Sequence, residues 1–390
     1  MAMKRLLEIM AETKASDVYI SVGAPINIKI EGIAMPINQQ AVTVDMARSL
    51  LAEILSPKQL QDFEETFELN TSYALSGIGS FRISAFMQRN TPAIVVRYIP
   101  PFIPEFDSLG LPPILKEIVV EKRGLILMVG ATGSGKSTSL AAMLDYRNAT
   151  MPGHIFTIED PIEFAFKHKR SIVNQRELGT DAKSYHIALK NALRQAPDVI
   201  LIGEIRDREA MSVALQYAQS GHICLATLHA NNSYHALNRI ISFYPLENRQ
   251  ALLQDLSASL KCIVSQRLVR NTRGGRSPSV EVMLNTRHIA DLIERGEINE
   301  VKDAMEKSLS LGSQTFEQAL FKAIQDGLIT QDEALANADS PTNLLWLINN
   351  ATAVASSATA DKPQEGSAAK QEGTASFNEF KLTLGDEKAA

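Results

Sequence analysis

The sequence predicts an α/β protein in which a doubly wound, parallel-sheet domain follows a smaller mixed α+β domain. Three observations carry that expectation. Four short apolar runs, at 125–130, 154–159, 199–203 and 223–228, lack polar alternation, as parallel strands covered on both faces do. Helical patterns, such as 136–148 and 183–194, separate them, which is the signature of a sheet wound by crossover helices. Ahead of them the apolar residues alternate with a period of two, and a proline-dense stretch divides the two kinds of pattern.

Residues 1–99 form the first domain. Segments 16–21 and 26–30 alternate like half-buried strands, and 43–55 is an amphipathic helix with Thr43 as its cap. A hairpin of 80–86 and 93–99 follows, with Thr91-Pro92 in its turn region. With a period of two, its Arg82 and Arg97 can both point away from the Phe81 and Ile83 side. Residues 100–112 are a stiff, proline-rich linker, because proline removes amide donors and restricts the backbone. Residues 113–350 make the α/β domain. Beyond 230 it becomes mostly helical, with one further hairpin at 268–270 and 280–284. The tail, 351–390, is rich in Ala, Ser, Thr, Lys and Glu and reads as disordered.

Composition limits what such a chain does. Its 390 residues are 45% apolar and 21% charged, enough for a sizeable core in more than one domain. The net charge of -5 argues against non-specific nucleic-acid binding, which rests on a surplus of Lys and Arg. Two distant cysteines, Cys224 and Cys262, form no disulfide framework and fit a reducing cytoplasm. Glu8 and Glu12 interrupt any secretory core, and no apolar stretch approaches the ~20 residues that cross a bilayer. Membrane contact is therefore expected only through partners.

The chemistry-bearing motifs sit at the ends of the apolar runs. Gly130-Ala131-Thr132-Gly133-Ser134-Gly135-Lys136-Ser137-Thr138 is a phosphate-binding loop between a buried strand and a helix. Its glycines let backbone amides approach phosphate oxygens, Lys136 reaches the β- and γ-phosphates, and Ser137 is the expected Mg²⁺ ligand. The implied cofactors are ATP and Mg²⁺. Glu204 ends the run 199–203, where a carboxylate can orient or deprotonate the attacking water; the plainer reading is a cap on the following helix. Glu159, Asp160 and Glu163 crowd another strand end and repel one another unless Mg²⁺ or a neighbouring subunit's arginine compensates, which makes Glu163 a candidate for metal binding and catalysis. His229 ends the last run and is placed to sense the γ-phosphate. His222 lies seven positions earlier, so a zinc pair is not expected. Arg194, Arg206 and Arg208 are fixed cations for phosphate or partners for the acidic cluster. Arg273-Gly274-Gly275-Arg276 reads as a hairpin turn rather than an RNA-binding element.

These boxes, in this order, resemble the secretion ATPase superfamily and within it the PilT/PilU type IV pilus retraction ATPases. The matching segments are 130–138 (Walker A), 157–164 (the Asp box), 193–207 (Walker B) and 226–229 (the His box). Segments 225–232 and 264–270, with the extended tail, place the closer likeness on the PilU side. The resemblance implies a PAS-like N-terminal domain, a RecA-like ATPase domain and a homohexameric motor. It also implies that Arg82 and Arg97 reach a γ-phosphate, with the N-terminal domain packed on a neighbour's ATPase domain. Expected partners are a PilT-like paralogue and an inner-membrane pilus platform protein, with no nucleic acid; the expected place is the cytoplasm at the inner-membrane base of the pilus machine. The segment 288–295 departs from the basic retraction stretch of PilT proteins by carrying Glu294, which points to an accessory motor. The rivals are a pilus-extension or type II secretion ATPase, which typically carries a cysteine zinc motif absent here, and a RecA-like nucleic-acid motor, which would need basic, aromatic loops.

Overall fold

Alternation in the first hundred residues and continuous apolar runs after them produce two different sheets. The computed structural model describes residues 2–359 other than 31, 101 and 309. Of these, residues 2–345 form one unit and 346–359 belong to a second. The expected disordered tail falls largely outside the described residues, although 351–359 continue the helix Pro341–Thr359.

The N-terminal sheet has the order β3-β2-β1-β6-β5-β4. Its strands are β1 (Asp17–Ser21), β2 (Pro25–Ile30), β3 (Ile33–Ala41), β4 (Glu68–Leu75), β5 (Gly79–Gln88) and β6 (Thr91–Ile99), all antiparallel to their neighbours. Phe81, Ile83 and Ala85 of β5 are buried while the residues between them are not, the pattern of a strand with one covered face. That face packs against Met3, Leu6, Leu7 and Met10 of helix Ala2–Glu12 and Leu50 and Leu51 of helix Val44–Ala52. The second helix begins where Thr43 accepts a hydrogen bond from the Met46 amide, as the sequence predicts. The β5–β6 turn is Arg89-Asn90 rather than Thr91-Pro92, since Gln88 pairs directly with Thr91. Both turn residues have positive φ (45° and 64°), the geometry that matches strand twist and that asparagine tolerates.

The second sheet has the order β13-β12-β7-β11-β10-β8-β9. It comprises β7 (Gly124–Val129), β8 (Gly153–Glu159), β9 (Ser171–Glu177), β10 (Val199–Ile202), β11 (Ile223–Leu228), β12 (Leu260–Arg270) and β13 (Arg276–Leu284). All are parallel except the edge strand β13. The absence of alternation has its reason in β7: Leu125, Leu127 and Val129 enter one apolar cluster while Ile126 and Met128 enter another on the opposite face. Each such side chain stabilises the fold by ~1.5–3 kcal/mol through burial. The order also has a functional consequence. Parallel strands end on one edge of the sheet, so the segments after β7, β11, β10 and β8, which carry the motifs, become neighbours.

Candidate active site

The phosphate loop follows β7 and opens into the helix Lys136–Thr150. Two glycines are required by geometry. Gly130 (φ 151°) lies so close to the Gln266 carbonyl oxygen and Ser134 Oγ that a Cβ would stand 2.5 Å from each, and Gly135 (φ 86°) packs against Gln266 Nε2. Lys136 Nζ donates to the loop's own carbonyls, Gly130 O at 2.7 Å and Ala131 O at 2.9 Å. Burial lowers the pKa of this ammonium, opposed by the charges of Glu204 and Glu163. A phosphate oxygen placed here would be a stronger, charged acceptor.

Glu204 stands after β10. Gly203 donates its amide to Ile158 O at 2.8 Å, which binds this strand end to the neighbouring one at its acidic cluster. Glu204 Oε2 accepts from Arg206 Nε at 2.6 Å and its Oε1 lies 3.2 Å from His229 Nε2. It does not cap the next helix; Asp207 does, accepting from the Ala210 amide at 2.8 Å. The Glu204 backbone is held at both ends by one hydroxyl, since Tyr185 Oη donates to Glu204 O at 3.1 Å and accepts from Glu204 N at 3.3 Å.

The acidic cluster is compensated within the chain. Asp160 lies 3.4 Å from Arg206, and Glu163 lies 4.0 Å from Arg82. For Glu159, the cluster's third acid, no ion pair forms among the described residues. Thr157 Oγ1 and Gln175 Nε2 donate to it at 2.6 and 3.1 Å, but enclosure pushes its carboxyl up to about 7.

These groups line a single cavity of about 460 Å³, whose walls include Arg82, Thr132, Gly133, Lys136, Ser137, Glu163, Glu204 and His229. Arg82 thus lines the cavity of its own chain. The reason is the β-sheet row Asp17, Arg97, Arg82, Ser72, four residues directly opposite one another on β1, β6, β5 and β4. Ser72 Oγ donates to Glu177 Oε2 at 3.3 Å, beside the acidic segment, and brings Arg82 with it. Arg97 is absent from the cavity walls; its Nε donates to buried Asp17 Oδ1 at 2.9 Å. Arg208 stacks on Tyr244, 5.4 Å from the ring centroid. His222 precedes β11 and His229 follows it, so the two stand at opposite ends of the strand. Arg273, Gly274, Gly275 and Arg276 close the β12–β13 hairpin, with Asn271 N donating to Gly275 O at 3.1 Å.

Tyr185, Gln266, Ser72 and Glu177 are the site's supports that sequence reasoning passed over. None belongs to a phosphate-loop, acidic or histidine pattern, and only tertiary proximity marks them.

The oxygens of Ser137 and Glu163 in one cavity suit a hard cation such as Mg²⁺. Among the described residues no group of three or more His, Cys, Asp or Glu side chains gathers to hold a metal unaided. A Mg²⁺ ion held mainly by substrate phosphates and water needs no such cage.

Residues 1–335 match the family model described as Type II/IV secretion system protein. The chain is 48% identical over 349 residues to the type IV pilus ATPase PilU of Pseudomonas aeruginosa, covering 89% of this chain and 91% of that protein. It is 38% identical over 343 residues to the type IV pilus retraction ATPase PilT of the same organism, covering 88% and 100%. A crystal structure of the pilus retraction motor PilT with bound ADP superposes with a TM-score of 0.80 at 40% identity, covering 87% of this chain and 98% of that one. Fold, cavity and likeness agree, and the chain belongs to the Type II/IV secretion system protein family as an ATPase of its PilT/PilU branch.

Proposed function

We propose that this ATPase is a motor of the type IV pilus machinery that drives or assists retraction, working as a ring beside a PilT-like paralogue. The observation that carries the reading is the convergence of Lys136, Ser137, Glu163, Glu204, His229 and Arg82 on one cavity. Lys136 and the loop amides hold the β- and γ-phosphates, Glu204 orients and deprotonates the water, and His229 tunes that carboxylate through their shared contact. Ser137 and Glu163 would hold Mg²⁺, which when bound neutralises charge developing on the phosphates. Arg82 comes from the other sheet, so closing that sheet on the cavity and completing the catalytic set are one event. That linkage lets hydrolysis move the N-terminal domain.

The accessory role rests on the helix Arg287–Arg295, whose exposed face mixes Asp291 and Glu294 with its basic residues. An extension motor is the weaker reading, because Cys224 and Cys262 are separately buried and offer no zinc site. Among the described residues no helix is long and apolar enough to cross a membrane, so the proposed place is the cytoplasmic face of the inner membrane, held there by a platform protein. Deleting the gene alone and together with a PilT-like paralogue, then scoring pilus length and twitching, tests this. Long, unretracted pili support it, and loss of pili would assign the motor to extension.

A further inference from the structure

Gln266, on β12, lies far along the chain from the phosphate loop and touches it at both ends. Its side chain is buried, only 2% exposed. Nε2 donates to Ser134 O in the loop at 2.9 Å, and Oε1 accepts from Ser139 Oγ, in the first turn of the following helix, at 2.7 Å. Its backbone oxygen closes off the space beside Gly130 and its side-chain amide that beside Gly135, the two glycines of the loop at which a Cβ would clash. Only a side chain with one donor and one acceptor at this separation satisfies both partners. The next residue anchors the strand on the far side: the Arg267 guanidinium lies 4.0 Å from the Phe316 ring centroid and pairs with Asp339.

Lys136 ties the loop to itself through Gly130 O and Ala131 O. A triphosphate that takes the ammonium removes that tie at the moment the loop amides must hold their aim. The clasp from β12 is independent of the lysine and survives the exchange. We propose that Gln266 is a positioning residue for nucleotide binding, holding the phosphate loop in its receiving shape through Ser134 and Ser139. The inference rests on the loop being the nucleotide site.

The loop amides grip phosphates present in ATP, in ADP and in the transition state alike. Loss of the clasp is therefore uniform binding lost, which raises KM and leaves kcat. The test measures ATP and ADP affinity by calorimetry and steady-state hydrolysis for the full chain carrying Gln266→Met, Ser139→Ala or both. Gln266→Met keeps volume and removes both hydrogen bonds, so Kd for ATP and for ADP should each rise about 10-fold, with kcat within about twofold. Ser139→Ala removes one arm and should raise both by about threefold; the double variant should match Gln266→Met alone, because the arms share one side chain. Unchanged affinities in variants that fold, a fall in kcat at constant KM, or a loss confined to ATP would overturn the proposal. Should Gln266→Met fail to fold, Ser139→Ala decides alone by the same criteria. A wild-type chain that binds neither nucleotide would overturn the loop's role itself, which separates that failure from this one.

Discussion

Replacing Arg82 with alanine tests the claim that the two sheets share one active site. The static cost is small. At 4.0 Å from Glu163 the charge pair is worth roughly 1 kcal/mol in water and 4 at an intermediate dielectric. Both side chains are about a third exposed, 34% and 38%, so screening brings the pair down to about 0–1 kcal/mol. Tm should fall by about 2 °C or less. The catalytic cost is of another order, because an arginine supplied to phosphoryl transfer is worth roughly 10³ to 10⁵ in rate. Coupled-enzyme hydrolysis with purified protein would therefore show a loss of at least about 10³ in a chain of nearly wild-type stability. Mixing identifies whose site is served. Arg82→Ala chains keep their own phosphate loop, and Lys136→Ala chains keep their own arginine. If Arg82 serves its own chain, no site in a mixed ring is complete and the mixture stays inactive. If it serves a neighbour, equal mixing completes about a quarter of the interfaces. Recovery of activity in subunits shown by fluorescent labels to exchange would refute the arrangement described here.

Three other outcomes follow from the same geometry. Lys136→Ala should abolish measurable ATP binding by calorimetry, and retained affinity would mean that the loop amides suffice. Glu204→Gln should keep ATP affinity and lower kcat by about 10² to 10⁴, the range for a lost general base; near-normal turnover would move that role to Glu163. Glu159 makes stability fall as pH rises. Below about 4.5 its carboxyl is protonated folded or unfolded, and between there and about 7 only the folded chain keeps the proton, so about 3 kcal/mol is lost across that window and none above it. Glu159→Gln should remove that slope in urea titrations at pH 5 and pH 8, and a variant with the wild-type slope would assign the effect elsewhere.

The elements that were legible in the sequence are those whose environment leaves a pattern. β7, β8, β10 and β11 are buried on both faces, so their runs stand out and their ends locate the motifs. β3 left no trace because every one of its residues is exposed, and an uncovered edge strand has no burial period to read. β9 was hidden for a related reason. It carries Asn174, Gln175 and Arg176, whose polar groups serve the neighbouring segments rather than a core. The β5–β6 turn lies two residues before Thr91-Pro92, because the positive φ values that reverse the chain fall on Arg89 and Asn90 while the proline pair already belongs to β6.

The site divides along the same line. Glycines, a lysine and an acid at a strand end are legible because each sits in a local backbone setting that the sequence itself displays. Gln266 and Ser139 are 127 positions apart in the chain, and no local pattern connects them. Arg82 and Arg97 show the limit most sharply, since the alternation of a hairpin puts both on one face and offers no way to choose between them. What separates them is the next strand. Buried Asp17 lies directly opposite Arg97 and holds its guanidinium at 2.9 Å. Arg82 has Ser72 opposite it and its nearest carboxylate 4.0 Å away across a cavity. A cation already engaged by a buried acid would have to break that contact to reach phosphate, whereas one that lines the cavity with only a 4.0 Å ion pair would give up little.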